Sequence, residues 1–398
     1  MMLARLLSKI YKKSGIILID ANHQKYICGK PDFKNPIILK LLKKDLNWKL
    51  VLNPDMNFPE AYMRGEIKIE NASLLEFLYM TFDNIGRSEI NFSGYIIKKI
   101  LHLWRICGNY NFPGRSKKNV KHHYDIGEDF YDLFLDKKHR QYSCAYFTKK
   151  DESLEDAQQN KINHIIKKLN LKPGHKVLDI GCGWGGMAFE IARQSQCEVT
   201  GISLSENQIK YCKEKAKELN LDNQVRFELL DYRSVNTKFD RIVSVGAFEH
   251  FGKEFYKTFF KKVKSIMKDD SICLLHTIGT VDEPGPTQPF IQKYIFPGGI
   301  IPSLSEMMIP IEKTGLILSD CETLIHHYDK TLKAWLERFM DNKEKAKYLY
   351  NKEFVRMWEF YLSSCSAAFK FRDLVVYQLQ LVKNFTALPS NRRNYIYQ

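Results

Sequence analysis

VLDIGCGWGGMAFEIA, Val177–Ala192, is the stretch whose reading decides the fold. Val177 to Ile180, apolar but for Asp179, read as a buried strand, and Gly181, Gly183, Gly185 and Gly186 then turn the chain sharply. Met187, Phe189 and Ile191 follow as apolar positions of an amphipathic helix. A glycine turn that feeds a helix lets a ligand lie against backbone N–H groups at the helix start. Asp179 stands two residues before the first glycine, in the pattern Asp-x-Gly-x-Gly. A negative charge there would repel a pyrophosphate and suits a cationic nucleoside. S-adenosylmethionine fits that description, having a sulfonium, an ammonium and no phosphate. A bare strand-to-helix turn would explain the glycines but not the acid placed among them.

Downstream the pattern alternates: CEVTGISLS, the helix-like ENQIKYCKEKAKEL, VRFELLDYR, FDRIVSVGAF, a helix over Lys253 to Lys268, and SICLLHTIG. Such alternation predicts a doubly wound, mostly parallel sheet with right-handed crossovers. Ligands of these sheets bind beyond the carboxyl ends of the strands. The first strand ends in Asp179, Gly181 and Gly183; the second in Ser203, Leu204 and Ser205, with Asn207 and Gln208 opening the next helix. The acid that commonly holds a ribose is missing there, which leaves Gln208 or a serine hydroxyl for the task. Asp231 and Tyr232 end the third strand and suit an adenine amino group and ring. Glu249 follows the fourth strand and His276 lies near the end of the fifth, neighbours that could meet over the donor. Taken singly, Glu249 also fits a helix cap and His276 a satisfied core histidine.

The 398 residues leave room for one large or two ordinary domains, and 44% hydrophobic with 13% aromatic residues exclude wholesale disorder. Lys+Arg 61 against Asp+Glu 46 gives a net charge of +15, which fits a polyanionic partner, whether nucleic acid or anionic membrane, and equally a lysine-rich solvated surface. Nine cysteines without a CxxC or other metal spacing indicate a reducing cytoplasm and no metal site. No apolar run reaches the roughly 20 residues a bilayer span needs. The basic MMLARLLSKIYKK start carries Leu3, Leu6, Leu7 and Ile10 on one helical face, as a terminal helix or a membrane-resting one would. Residues 1–108 read as a small α+β domain, with a short strand Glu66 to Ile69 and a helical, apolar Ile90 to Ile106. Residues 109–121 read as a linker, and 122–398 as the main domain.

Several motifs carry a resemblance: HHYDIGEDFYDLFLD (His122–Asp136), QYSCAYF (Gln141–Phe147), DIGCGWGG, VTGISLSENQ, FEHFG, LLHTIG, QKYIFPGG, HHYDKTLKAW and FYLSSCSAAFKFRD. In this order they resemble the cyclopropane-fatty-acyl-phospholipid synthase family, and NPDMNFPEAYMRGEI resembles the smaller lipid-engaging domain of that family. The resemblance implies a Rossmann-like class I methyltransferase domain with a seven-stranded sheet, in a homodimer at the inner face of the membrane. It implies methyl transfer from S-adenosylmethionine to a cis double bond of a phospholipid acyl chain, then ring closure after bound bicarbonate removes a proton. The positions matching the bicarbonate site are Cys144, Glu249, His276, Ile278 and Tyr328. Those matching the donor site add Tyr142 and Ser143 to the strand-end residues above. Cys365 matches a cysteine often taken as active, although its place on a helix with Phe360, Leu362 and Phe369 favours a buried structural thiol. CAYF departs from the family pattern at Ala145 and Phe147, at the expected acyl slot, and YIFPGG (Tyr294–Gly299) reads as a loop closing over the lipid. Against an RNA methyltransferase stands FEHFG where an Asn-Pro-Pro-Tyr motif would be, with no RNA-binding module. Methyl branching without ring closure remains the alternative outcome.

Overall fold

The computed structural model describes residues 1–86, 127–388 and 393–397. The helical reading of Ile90 to Ile106, the 109–121 linker and His122 lie outside the described residues. Two compact units emerge. One gathers residues 1–86, Thr287–Pro297 and Asp329–Leu374; the other gathers 127–286, Gly298–Tyr328, 375–388 and 393–397.

In the first unit, β1 (Gly15–Ile19), β2 (Lys25–Gly29), β3 (Ile38–Leu41) and β4 (Ile67–Glu70) form a sheet in the order β2-β1-β3-β4. The last strand sits one residue later than the sequence reading. Gly65 and Asn71, both at positive φ, bracket it. A Cβ at Gly65 would also collide with the Arg356 guanidinium. The Leu74–Ile85 helix starts at a capping box: Ser73 Oγ accepts from Glu76 N–H, and Glu76 reaches back to Ser73 N–H at 2.7 Å. Phe77 on this helix stacks on Phe58 of the Pro54–Met63 helix, whose ring also meets Phe360 of the Lys352–Phe371 helix. Those three helices share one apolar interior.

The second unit carries a seven-stranded sheet, built from β5 (Lys176–Ile180), β6 (Glu198–Ser203), β7 (Val225–Leu229), β8 (Phe239–Val245), β9 (Met267–Thr280), β10 (Ile317–Leu324) and β11 (Leu374–Val382). Its order is β10-β11-β9-β8-β5-β6-β7. The pairs β5·β6, β6·β7, β5·β8 and β8·β9 are parallel and β10·β11 is antiparallel. This is the mostly parallel α/β sheet expected from the alternation. Chain direction along the sheet reverses between β5 and β8, so a crevice opens beyond their carboxyl ends. Helices cover both faces. Ile162 and Ile165 of the Leu154–Leu169 helix pack with Met187 and Phe189 on one side; Phe259, Phe260 and Val263 of the Tyr256–Ile266 helix pack with Met307 and Ile311 on the other. The helix expected over Lys253 to Lys268 is shorter because Met267 already pairs with Phe239 as the start of β9.

Candidate active site

The crevice holds about 1130 Å³ of empty space, its open mouth included. That is ample for a nucleoside-sized ligand. Tyr142, Ser143, Asp179, Gly181, Gly183, Ser203, Leu204, Gln208, Asp231 and Tyr232 line it, together with Arg140, Gln141, Trp184, Arg233, His250 and Phe251. Of the residues expected at the donor site, Ser205 and Asn207 are not in the lining. Ser205 caps the Glu206–Glu218 helix, accepting from Gln208 N–H, and Asn207 is exposed on its first turn.

The glycine loop works by shape. Gly181 has φ +80°, and a Cβ there would stand 2.5 Å from Ala247 Cβ, while one at Gly186 would stand 2.3 Å from His139 O. The N–H groups of Gly181 and Cys182 both donate to Ile202 O, at 2.9 and 3.0 Å, so these two tie β5 to β6 and are not offered to a ligand. Asp179 is buried at the loop entrance with Oδ2 unpartnered, and burial pushes its carboxyl up to about 7 against the pull of Lys161. Lys161 is itself fully buried and pushed down to about 8. It donates to Gln141 Oε1 at 2.5 Å and to Ser143 Oγ at 2.8 Å, holding the 141–143 segment along the cavity wall.

On the far wall, Ser203 Oγ donates to Gln208 Oε1 at 2.9 Å. Asp231 accepts from Arg233 Nε and Nη2 at 2.8 and 2.6 Å, so its carboxylate is engaged within its own loop. Tyr232 stacks at a tilt on Phe251, centroids 4.7 Å apart, giving an aromatic wall. Arg140 lies over Trp184 at 4.5 Å and over Tyr211 at 4.7 Å.

A second cluster is built around Glu249. Its Oε1 accepts from Ile278 N–H at 2.6 Å, Oε2 is buried without a partner, and burial pushes the carboxyl up to about 7. Glu249 and Ile278 thus meet directly. Glu249 and His276 do not bond to each other: His276 Nδ1 faces Gln378 Nε2 at 3.1 Å, and its carbonyl accepts from Gly246 N–H. Cys144 is buried, with Sγ against Ala145 O at 3.2 Å, and Tyr328 is buried at the start of the His327–Asp341 helix. Cys365 belongs to the other unit, on the Lys352–Phe371 helix, where burial raises its thiol to about 12, the state of a poor nucleophile. Phe248 is fully buried, stacked on Tyr256 at 4.3 Å among Phe251, Phe259 and Phe260, as part of the core.

The description "Mycolic acid cyclopropane synthetase" belongs to the family model that matches residues 113–379. The chain belongs to the mycolic acid cyclopropane synthetase family. It is therefore an S-adenosylmethionine-dependent methyltransferase. Cyclopropane-fatty-acyl-phospholipid synthase of Escherichia coli K12 is 42% identical over 349 residues, 86% of this chain and 87% of that protein. The solved cyclopropane synthase MmaA2 of Mycobacterium tuberculosis is 35% identical with a TM-score of 0.64, covering 67% of this chain and 97% of its own. CmaA1, a mycolic acid cyclopropane synthase solved with SAH and CTAB, is 34% identical with a TM-score of 0.63 over the same shares.

Within this family frame the cavity residues fit the methyl donor. The orphaned Asp179 oxygen calls for a cation, and the side-chain-free loop leaves space beside it. Sequence reasoning missed Lys161, Arg140 and Gln141. Lys161 sits in LEDAQQNKINHIIKKL, where a lysine reads as one more solvated helix position. The signal that was there is periodicity: Ala157, Lys161, Ile165 and Lys168 share the buried face.

Proposed function

We propose that this enzyme adds a methylene to the cis double bond of unsaturated acyl chains in phospholipids, closing a cyclopropane ring. Similarity to the E. coli phospholipid synthase across 86% of the chain carries the reading. In it, Asp179 holds the cationic part of S-adenosylmethionine, the glycine loop gives its chain room, Ser203 and Gln208 serve the ribose, and Tyr232 and Phe251 flank the base. Bound, the donor supplies an electrophilic methyl and bicarbonate supplies a base for the proton lost at ring closure.

The protein's part is positioning and proton control. An isolated alkene is a weak nucleophile, so it must be held in line in a dry slot. Glu249, with a carboxyl near 7, is about half protonated at neutral pH and can donate to an oxyanion rather than repel it. The unpartnered Oε2 is the oxygen left for that bond. Cys144, His276, Ile278 and Tyr328 complete the proposed anion site, although the Ile278 N–H is engaged with Glu249 here.

The N-terminal unit is proposed to meet anionic membrane at the inner face. Its first 50 residues hold eleven Lys+Arg against three Asp+Glu. Met2 and Leu6 are exposed on the Met2–Ile10 helix, and Trp48 and Leu52 on the Leu46–Leu52 helix. Among the described residues no helix is long and apolar enough to cross a membrane. Lipid mass analysis of expressing cells tests the reaction. Acyl chains that gain CH₂ and keep their degree of unsaturation as a ring support it; a gain of CH₄ means a methyl branch, and unchanged lipids refute it.

A further inference from the structure

Behind His276 runs a buried polar chain that the reaction as described does not use. Gln378, on β11, is fully buried, as is Lys168 on the Leu154–Leu169 helix. Lys168 Nζ bonds both Glu322 Oε2 and, at 2.8 Å, Gln378 Oε1; Glu322 Oε2 also takes His164 Nε2 at 2.6 Å. Polar groups sealed in a sheet interior are costly unless satisfied, and apolar residues would fill these positions more cheaply.

The order of bonds carries information. An ammonium ion only donates, so the Gln378 oxygen must be the atom turned to Lys168. The Gln378 amide group then has its NH₂ turned to His276 Nδ1, 3.1 Å away. An NH₂ only donates, so Nδ1 must present its lone pair, and the single proton of a neutral imidazole is left on Nε2. Burial, with Lys161, Lys168 and His164 adding to it, holds His276 well below the ordinary histidine range, so the neutral ring is the relevant one.

We infer that Gln378, oriented by the Lys168–Glu322 pair, is a positioning residue that fixes His276 as the Nε2–H tautomer, a hydrogen-bond donor toward the site. This rests on the role of His276 in the anion site proposed above. A donor is what an oxyanion needs; the other tautomer would offer it a lone pair. The chain thereby sets the direction of one hydrogen bond by the charge of a lysine two residues removed from it.

The test is nitrogen NMR of the full-length protein labelled with ¹⁵N-histidine, the His276 signals being assigned by their loss in His276→Gln. The wild type is expected to show a protonated Nε2 and an unprotonated Nδ1; the reverse overturns the inference with no variant needed. In Gln378→Glu the carboxylate accepts from Lys168 and from His276 as well, so the proton is expected to move to Nδ1. Turnover is then expected to fall by about tenfold or more with the donor KM little changed, the scale of other orienting partners. A Gln378→Glu protein that keeps Nε2–H overturns the inference. Should that variant not fold, Lys168→Met frees the amide to flip and is expected to give mixed tautomers, with Lys168→Arg restoring one; a single unchanged tautomer in Lys168→Met overturns it. A moved proton with undiminished turnover instead overturns the role of His276 in the reaction.

Discussion

In the proposed function, Asp179 makes donor binding a titration. Its carboxyl stands at about 7 in the free protein, raised by burial and only partly offset by Lys161. A ligand cation that needs the carboxylate must first drive off that proton. The apparent affinity then falls by the protonated fraction: at pH 6 only about one molecule in ten is ready, at pH 8 about nine in ten. Between those limits the dissociation constant changes about tenfold, or about 1.4 kcal/mol. An amino group such as the donor's own ionises at about 8, so the interval from pH 6 to 7 reports on the protein. Glu249, also near 7, titrates in the same interval and is silenced by Glu249→Gln. Isothermal titration calorimetry of S-adenosylmethionine at pH 6, 7 and 8, in buffers of different ionisation enthalpy, reads both affinity and proton release. Glu249→Gln is expected to retain the part of that slope between pH 6 and 7, about fivefold, and about half a proton released at pH 7. Glu249→Gln with Asp179→Asn is expected to bind weakly and without slope between pH 6 and 7. A flat profile in Glu249→Gln, or a slope that survives the added Asp179→Asn, refutes the assignment.

Glu249→Gln is expected to lower kcat by about 10² to 10³, the usual share of a donor aimed at an oxyanion, while the donor dissociation constant moves by less than about twofold; steady-state kinetics beside calorimetry check it. Lys161→Met strands Gln141 Oε1 and leaves Asp179 without its nearest cation, so urea unfolding should show a loss of about 2–4 kcal/mol, and donor binding should weaken. Asp179 should take stability away as pH rises from about 4 to 7, because the folded state holds a proton there that the unfolded chain has released, opposite in sign to the buried neutral histidines His250 and His276; urea unfolding at pH 5 and 7.5 isolates it as a wild-type stability that falls relative to Asp179→Asn between the two. Trp48→Glu with Leu52→Glu should cut retention on anionic phosphatidylglycerol vesicles at least about tenfold, from two lost apolar contacts, with flotation as the readout.

The sheet was legible because its strands announce themselves twice. Val177–Ile180 is apolar but for Asp179, as a strand covered on both faces tends to be, and the glycines that follow leave the chain no other course than a turn. Most of the crevice residues at the ends of β5, β6 and β7 followed from topology, whereas Tyr142 and Ser143 came with the family resemblance and Arg140 and Gln141 with neither. What escaped was pairing. Nothing local distinguishes an aspartate that meets a ligand from one that meets its neighbour, and Asp231 turned out to hold Arg233 two residues on. Nothing beside Phe248 in the chain marks it as core, yet three aromatic residues of the following helix, Tyr256, Phe259 and Phe260, enclose it. YIFPGG read as a loop, and Phe296–Gly299 are one, but Tyr294 and Ile295 close a π-helical turn, Ile291–Ile295, in which Lys293 and Tyr294 both bind Glu60, more than 230 residues away in the chain. Long-range partners of this kind leave no trace in local composition.

Two acids near 7 and a lysine near 8 in one unit are a departure from ordinary folding practice, where carboxylates are ionised and paired. Each is displaced in the direction that burial dictates, toward the neutral form. Water would abolish the displacement, so it persists only because Asp179, Lys161 and Glu249 are sealed in. The same seal is what an alkene attack needs, since water would compete for any cation that forms. Leaving one oxygen of Asp179 and one of Glu249 without partners costs stability in the free protein. In the function proposed above, a cation meets the first and a proton-accepting anion the second. The unit therefore discriminates by charge before shape: a neutral nucleoside of the same outline would fill the crevice yet leave Asp179 unsatisfied, and would bind as poorly at pH 8 as at pH 6.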